Sequence, residues 1–381
     1  MSRHICVIAG EPSGDFLGGR LIAALKEAAP DTVFSGVGGH YMAEQGVQSL
    51  FSYQQLAVMG IAEILPKLPT LLARIRQTID HIKKTKPAII VTIDSPDFSF
   101  RVLRAVRKEM GDDAPKLVHY VAPSVWAWRA ARAEKIARFL DGVICLFDFE
   151  PPYFEEHGLK AVAAGHPLVE GGAMNADGAV FRDICGIGGS ETIIGLLFGS
   201  RKGELKRTAP VLRDAAFLLA EKQGRLPHIV APTLPHLYND VMNLIRDYPG
   251  PIHITTDAAQ KWNGFKAMDV AFAVSGTVGL ELAAMQVPHV IGYRTNWMTA
   301  ALIRRVIKID YAHLANIMMG APVVPEFLQE KCDAASMAVC ADALLKNPEA
   351  QKQALAQVAH KIGFGQEKTP SQKAAAFVLS L

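Results

Sequence analysis

Two stretches of this 381-residue chain share one local order of elements, and that order limits the folds available to it. The first is an apolar strand at 4–9, the loop GEPSGDFLGG and an alanine-rich helix over 20–29. The second is a strand at 192–198, the loop GSRKGE and a helix over 211–222. Strand, glycine loop and helix in that order open a doubly wound α/β fold. The chain is therefore predicted to contain two such α/β halves with a cleft between them.

Composition and charge limit the classes of protein. Half of the residues are apolar and a fifth are charged, as in globular proteins, and a formal net charge of +3 does not favour nucleic acid as a partner. Five scattered cysteines without paired spacing indicate reduced thiols and no metal site. The first residues leave no room for a signal peptide, and no apolar run reaches the roughly 18 residues of a spanning helix. We therefore expect a cytosolic protein, and contact with a membrane face stays open.

A small polar turn in the second half is suited to phosphate. Ser275-Gly276-Thr277 follows an apolar run at 270–274 and precedes a helix-forming run, so backbone N–H groups and a helix N-terminus converge there. Glu281 lies one helical turn beyond Thr277 on the same face, where a carboxylate can accept hydrogen bonds from a sugar's paired hydroxyls. A helix cap beside a solvent-facing or paired glutamate is the structural alternative.

The two glycine loops differ in charge. The second-half loop, Gly199-Ser200-Arg201, carries small and basic residues and is suited to phosphate. The first-half loop carries Glu11 and Asp15, which would repel a pyrophosphate, so it is better suited to hydroxyl groups. A turn with Asp15 as a helix cap is the alternative. This asymmetry predicts an acceptor on the first half and a phosphorylated donor on the second.

Two acids follow the strand predicted at 88–93. Asp94 and Asp97 lie at the carboxyl end of that strand, where ligands gather in open parallel sheets. Either carboxylate is a candidate for taking a proton from an attacking hydroxyl. A turn that Asp94 builds on its own backbone is the alternative.

Aromatic and amphipathic segments indicate an apolar ligand or a core. Trp126 and Trp128 lie close to Arg129 and Arg132, a combination that can stack on rings or line the path of an apolar ligand, or belong to the core. The segments LAVMGIAEILPKLPTLLARIRQTIDHIKK and WMTAALIRRVIK interleave apolar and basic residues, which suits either an anionic membrane surface or inward packing.

Eight motifs together carry a family resemblance. They are AGEPSGD, LAVMGIAEIL, IDSPDF, HYVAPSVWAWR, GSRKGE, SGTVGLE, VIGYR and FLQEKC. Their order and spacing over nearly the whole chain resemble the lipid-A-disaccharide synthase family of GT-B glycosyltransferases. The resemblance implies inverting transfer of a 2,3-diacylglucosamine unit from its UDP donor to 2,3-diacylglucosamine 1-phosphate, giving the β-1,6-linked lipid A disaccharide 1-phosphate and UDP.

The resemblance also implies an architecture and a setting. The fold is α/β, with two Rossmann-like doubly wound domains facing across a cleft and C-terminal helices that cross back to the first domain or to a partner chain. We predict an acceptor domain over 1–168, a UDP-sugar donor domain over 169–345 and C-terminal helices over 346–381 that pack on the first domain. No cofactor or metal is expected. Peripheral association with the cytoplasmic face of a Gram-negative inner membrane is expected, and a homodimer through the C-terminal segment stays open.

Residue roles follow from matching positions in the motifs. The predicted catalytic residues are Asp94 and Arg201. The predicted UDP-binding residues are Gly199, Ser200, Arg201, Ser275, Gly276, Thr277 and Glu281. The residues predicted to bind the acceptor or an acyl-sugar are Glu11, Ser13, Asp15, Met59, Asp97, Trp126, Asn316 and Gln329.

Four positions depart from the family's pattern. Pro12 and Ser95 stand where the family has alanine, Ser99 where it has asparagine, and Phe198 where it has proline. These changes leave the charged groups in place and affect loop geometry, and Ser99 removes any contact made by that asparagine.

Two other functions use the same features. A sugar-nucleotide epimerase would also need two Rossmann-like halves and UDP recognition. A membrane-surface nucleotide-sugar sensor would bind the donor and form no product. The apolar, base-flanked segments near Leu65 and Leu302 favour acylated substrates, and hence the transferase.

Overall fold

The computed structural model describes residues 3–56, 61–128, 131–296 and 310–381, without the side chains of 61–67 and 128. Met59, Arg129 and the whole of the second amphipathic segment, WMTAALIRRVIK, therefore lie outside the described residues. The chain divides into two compact units, Met1–Pro167 with Gln366–Leu381, and Leu168–Gly365. Each unit has its own parallel sheet, so the predicted pair of α/β halves is confirmed.

The first unit is built on a parallel sheet. Its strands are β1 (His4–Ala9), β2 (Val33–Val37), β3 (Ile89–Ile93), β4 (Lys116–Tyr120), β5 (Gly142–Cys145) and β6 (Lys160–Ala163). Within the described residues they pair in the order β2-β1-β3-β4-β5-β6, all parallel. The inner strands are buried along almost their whole length because helices cover both faces of the sheet.

Helices follow the strands of the first unit. They are α1 (Pro12–Ala28), α2 (His40–Glu44), α3 (Ile61–Thr85), α4 (Pro96–Met110), α5 (Val125–Trp128), α6 (Ala131–Ala137) and α7 (Pro152–Glu155). The first helix was predicted over 20–29 and instead begins at Pro12, because proline suits the first turn of a helix, where no intrahelical N–H bond is lost. Most of the predicted glycine loop is therefore helical.

The second unit has a sheet of the same kind. Its strands are β7 (Ile193–Leu197), β8 (His228–Pro232), β9 (Ile252–Thr255), β10 (Val270–Val274), β11 (His289–Tyr293) and β12 (Glu326–Leu328). Within the described residues their order is β12-β11-β10-β7-β8-β9, again all parallel. This is the strand order of the Rossmann fold, with β7 and β10 as the central pair.

Helices of the second unit flank its sheet. They are α8 (Gly178–Cys185), α9 (Lys202–Arg207), α10 (Ala209–Glu221), α11 (Tyr238–Ile245), α12 (Ala258–Ala267), α13 (Thr277–Ala284), α14 (Leu314–Met319), α15 (Ala334–Lys346) and α16 (Glu349–Lys361). The glycine-rich segment 171–189 contains α8. Asp177 caps this helix by accepting from Ala179 N–H at 2.8 Å, and Phe181 is buried.

Short 3₁₀ turns complete the secondary structure. They lie at Tyr53–Gln55, Gly111–Asp113, Pro167–Glu170, Gly172–Asn175, Pro235–Leu237 and Gln329–Lys331. No helix among the described residues is both long and apolar enough to cross a membrane.

The C-terminal segment divides between the units. Helix α16 stays with the second unit, where the Gln351 side chain accepts from His289 N–H at 2.7 Å and donates to its carbonyl at 3.2 Å. The last helix, α17 (Pro370–Leu379), belongs to the first unit and packs on α1, with Ala374 and Val378 buried. The return to the first unit thus begins at Gln366, and the boundary expected at 346 lies too early because Gln351 fixes α16 to β11.

Both sheets reverse their strand order at one point. In the first unit, β2 lies on one side of β1 and β3 on the other. In the second, β8 and β10 lie on opposite sides of β7. Ligands of open α/β sheets bind outside the carboxyl ends of the strands at such switch points. The predicted residues at 11–15, 94–97, 199–201 and 275–281 follow these two central strand pairs, whereas Trp126 follows β4, Asn316 lies in α14 and Gln329 follows β12.

Candidate active site

Carboxylates from two strand ends meet at the switch point of the first unit. Ser95 Oγ donates to Glu11 Oε1 at 3.0 Å, and Ser13 Oγ donates to Asp94 Oδ2 at 3.4 Å. Residue 10 must be glycine, because a Cβ there would lie 2.6 Å from Ser95 Oγ. The structure therefore brings four polar side chains together, of which Ser95 was noted only as a departure from the family's pattern.

The backbone at the end of β3 is unusual. Asp94 and Ser95 have φ of 54° and 44°, in the left-handed region that non-glycine residues rarely adopt. The conformation is fixed by Asp94 N–H, which donates to Tyr120 O at 3.0 Å, and by Ser99 Oγ, which donates to Asp94 O at 2.9 Å. Strain of this kind is concentrated at functional sites, where the surrounding structure holds it in place.

The two oxygens of Asp94 have different surroundings. Oδ1 accepts from Ser95 N–H at 2.9 Å, which is the turn on its own backbone that the sequence allowed. Oδ2 has only the longer contact with Ser13 among the described residues. Asp94 is half-buried, whereas Asp97 lies exposed in the first turn of α4. Oδ2 of Asp94 is therefore the better placed oxygen for taking a proton.

Asp15 binds backbone N–H groups at the start of α2. It is 2 % exposed, and its two oxygens accept from the N–H groups of Gly39 at 2.7 Å, Tyr41 at 3.0 Å and Met42 at 3.2 Å. It therefore caps α2, not its own helix. Since the carboxylate is buried and makes these three bonds, it stabilises the fold of the loop, and its contact with the acceptor stays a prediction.

Trp126 is held by a residue that the sequence did not identify. Its Nε1–H donates to Glu150 Oε1 at 3.0 Å, while Glu150 Oε2 accepts from the N–H groups of Leu146 at 3.0 Å and Phe147 at 3.1 Å. Burial raises the pKa of Glu150 to about 7, although these hydrogen bonds lower it in part. The sequence signal that could have identified Glu150 is its place as the acid of FEPPYF, just after β5.

A pocket of 320 Å³ lies at the switch point of the second unit. All seven predicted UDP-binding residues line it, from the ends of β7 and β10 and from α13. The predicted site on this unit is thus one concave surface. Other lining residues were not predicted, among them Glu204, Leu234 and Lys261.

Glu204 shapes the turn that carries Arg201. Its Oε2 accepts from Arg201 N–H at 3.3 Å, as a glutamate at the third helical position does at a helix start. Gly199 has φ of 88°, and a Cβ there would lie 2.3 Å from Glu204 Oε2. The Arg201 side chain is 82 % exposed, and its Nη1 lies 3.8 Å from Glu204 Oε1. This guanidinium is therefore free to close on an anion in the pocket.

Glu281 is paired in the same pocket. Its Oε1 lies 2.7 Å from Lys261 Nζ, and its side chain is 14 % exposed. Ser275 Oγ donates to Ala312 O at 3.2 Å, which ties the polar turn to the residues before α14. The pocket thus contains an oriented carboxylate beside a turn whose N–H groups begin α13.

Asn316 and Gln329, the two amides predicted to bind substrate, lie in different environments. Asn316 is 1 % exposed, donates to Val324 O and Glu326 Oε1 at 2.8 Å each, and accepts from Val324 N–H at 2.8 Å. Its hydrogen bonds are thus used within the fold. Gln329 is half-buried with φ of 53°, and its Oε1 accepts from Thr295 N–H at 3.3 Å. In the described residues, no cluster of three or more metal-ligating side chains is found.

The fold and the pocket define a class. Two Rossmann-like units with site residues at their switch points form the GT-B fold. A putative UDP-N-acetylglucosamine 2-epimerase from Listeria monocytogenes shares it with a TM-score of 0.67, at 16% identity, over 100% of this chain and 95% of that one. MurG of Acinetobacter baumannii shares it with a TM-score of 0.59, at 13% identity, over 100% of both chains. At such identities the likeness concerns the fold alone.

The family is shown by sequence. The family model of lipid-A-disaccharide synthetase matches residues 5–378. The lipid-A-disaccharide synthase of Rhodospirillum centenum is 45% identical over 381 residues, covering 99% of this chain and 94% of the relative. The chain therefore belongs to the lipid-A-disaccharide synthetase family and is a glycosyltransferase. This supports the transferase prediction over the epimerase alternative.

Proposed function

We propose that the protein transfers a 2,3-diacylglucosamine unit from UDP to the 6-hydroxyl of 2,3-diacylglucosamine 1-phosphate. The products are the β-1,6-linked disaccharide 1-phosphate and UDP. Family membership supports this reaction. The structural observation that carries it is the pocket that gathers all seven predicted UDP-binding residues at the switch point of the second unit.

The chemical step is a single displacement. Asp94 Oδ2 takes the proton of the acceptor's 6-hydroxyl as that oxygen attacks the anomeric carbon of the donor, and UDP leaves from the opposite face. The fixed turn at the end of β3 supports this role, because Oδ1 is held by Ser95 N–H while Oδ2 has only the longer contact with Ser13 among the described residues. A positioned carboxylate of this kind contributes roughly 10²–10⁴-fold to a rate.

The leaving diphosphate gains negative charge as the glycosidic bond breaks. Arg201 and the N–H groups of Ser275, Gly276 and Thr277 stabilise that charge, which is greatest in the transition state. The high exposure of the Arg201 side chain supports this role, since the guanidinium can move onto the diphosphate when the donor binds. Glu281 accepts hydrogen bonds from the ribose hydroxyls and takes no part in proton transfer.

We also propose that the enzyme works at the cytoplasmic face of the inner membrane, since acylated substrates favour a membrane surface. In the described part of α3, Ile75, Ile79 and Ile82 are buried, so this part of the amphipathic segment packs inward. Leu72 is 52 % exposed on the same helix, beside the exposed Arg76, and this supports a peripheral contact with anionic lipid. We further propose a homodimer through the C-terminal segment.

One assay tests this function. The purified protein is incubated with both acylated substrates in detergent, and UDP release and the disaccharide are followed by mass spectrometry. We expect equal amounts of UDP and disaccharide. The donor alone should give neither an epimer nor UDP. An epimer without acceptor would favour the epimerase, and donor binding without any product would favour the sensor.

A further inference from the structure

Lys261 and Glu281 form an ion pair inside the donor pocket. Lys261 Nζ lies 2.7 Å from Glu281 Oε1, and both residues line the pocket. The lysine side chain is 32 % exposed and the glutamate side chain 14 %. The pair is thus largely removed from bulk water, where an oriented charge contact has more effect than on an open surface.

Lys261 is itself held in place. It lies in the first turn of α12, where Asp257 caps the helix by accepting from Gln260 N–H at 2.8 Å. Its Nζ lies 4.8 Å from the ring centre of Trp262 and 5.4 Å from that of Phe265. Two aromatic faces and one carboxylate therefore fix the ammonium group, so that Lys261 can act as a rigid support for Glu281.

The pairing leaves one oxygen of Glu281 for a ligand. Lys261 takes Oε1, and Oε2 has no hydrogen bond partner among the described residues. An ionised carboxylate oxygen accepts two hydrogen bonds, and a ribose offers two adjacent hydroxyl donors. The charged residues that line the described pocket are two bases, Arg201 and Lys261, and two acids, Glu204 and Glu281. Loss of Lys261 would leave the acids in excess around a diphosphate.

We propose that Lys261 is a positioning residue for ribose recognition, which directs the free oxygen of Glu281 at the 2′- and 3′-hydroxyls of the nucleotide. The inference rests on the proposed function, because it needs a UDP moiety in this pocket. Lys261 acts through Glu281 and does not touch the reacting atoms. Its removal should therefore weaken the binding of nucleotides that carry ribose hydroxyls more than the binding of nucleotides that lack them.

The test is a titration of the whole protein by calorimetry with UDP and with 2′,3′-dideoxy-UDP. Lys261→Met keeps most of the length and the apolar stem of the side chain and removes its charge. We expect it to bind UDP about tenfold more weakly and dideoxy-UDP less than about twofold more weakly. Lys266→Met, an exposed position on the same helix, should leave both affinities unchanged. Lys261→Arg keeps the charge and should retain most of the preference for UDP.

A double-mutant cycle separates this role from a general structural one. In a Glu281→Gln background, Lys261→Met should cause little further loss of UDP affinity, because the two side chains act as one unit. Equal loss for UDP and dideoxy-UDP, additive effects in the cycle, or an unchanged affinity in Lys261→Met would overturn the inference. If Lys261→Met did not fold, a lost preference for UDP in Lys261→Arg would count against it. A wild-type protein that does not bind UDP would overturn the proposed function, and this inference with it.

Discussion

Ser13 Oγ and Asp94 Oδ2 lie 3.4 Å apart, so the start of α1 and the end of β3 meet at one carboxylate oxygen. The other oxygen of Asp94 is occupied by Ser95 N–H at 2.9 Å. The direction of Oδ2 is thus set by the backbone, while its weak contact with Ser13 can be exchanged for a substrate hydroxyl. This relationship makes Asp94, more than Asp97, the candidate base.

Asp94→Asn tests that assignment. The amide keeps the size of the side chain and cannot accept the proton, so we expect kcat to fall by about 10³-fold while UDP affinity stays unchanged. Asp97→Asn is the matched control, and its kcat should remain within about threefold of wild type. Near-normal turnover in Asp94→Asn would contradict Asp94 as the base. A large loss of kcat only in Asp97→Asn would indicate that Asp97 is the base.

Arg201→Ala tests the stabilisation of the leaving group. Removal of one donor to a developing negative charge typically costs about 100-fold in kcat. We expect that loss, together with weaker UDP binding. The neighbouring exposed Lys202 serves as a control, and Lys202→Ala should change kcat by less than about threefold. The assignment fails if both substitutions have the same small effect in steady-state kinetics.

Glu150 predicts a pH dependence of stability. Its folded-state pKa of about 7 lies above the ordinary value of 4.5, so the folded state binds the extra proton between these values. Its contribution to stability is therefore complete below about pH 4.5 and lost as the pH rises through 7, by up to about 3 kcal/mol. Glu150→Gln removes this titration. We would measure the unfolding free energies of wild type and Glu150→Gln by denaturant at pH 5 to 8. As the pH rises, the wild type should lose stability relative to the variant. A difference that is constant with pH would contradict the burial argument.

His289, in the second unit, predicts a pH dependence of stability with the opposite sign. Burial lowers its pKa from 6.5 to about 4, so its contribution to stability is present above pH 6.5 and lost as the pH falls toward 4. Its Nδ1 bonds Val287 O at 2.7 Å and its Nε2 lies 3.3 Å from His313 Nε2, and both contacts suit neutral rings. In denaturant titrations between pH 7 and 4, His289→Gln should lose less stability on acidification than wild type does. Parallel curves for the two proteins would be evidence against this.

Asn316→Ala tests whether a predicted binding residue is structural. Its amide makes three hydrogen bonds that link α14 to Val324 and Glu326, and their loss leaves buried polar groups unpaired. We expect the unfolding free energy to fall by about 2–4 kcal/mol. The half-buried Gln329, changed to alanine, should cost less than about 1 kcal/mol. Unchanged stability with lost substrate affinity in Asn316→Ala would restore the binding role.

Local patterns predicted the fold well. Apolar strands followed by small polar turns identified the central strands, and the glycine turns at Gly199 and Gly276 identified residues that line one pocket, because both signals lie within a few consecutive residues. Helix starts were less clear, and α1 was placed late because its glycines resembled a loop although Pro12 and buried packing make it a helix.

The residues that the sequence missed act across the fold. Lys261 meets Glu281 from a helix 20 residues away, and Glu150 meets Trp126 across 24 residues. Asp15 was predicted to touch the acceptor, yet it is used by backbone N–H groups of α2. Such roles depend on which side chains the sheet brings together, and a single sequence carries no local sign of that.

The linkage of the product tests the central claim most directly. The disaccharide made by the wild-type protein from the two acylated substrates would be examined by NMR spectroscopy for its new glycosidic bond. A single displacement with Asp94 as base predicts a β linkage to the 6-position and one UDP released for each bond formed. An α linkage, a bond to another position, or UDP released without disaccharide would contradict the account.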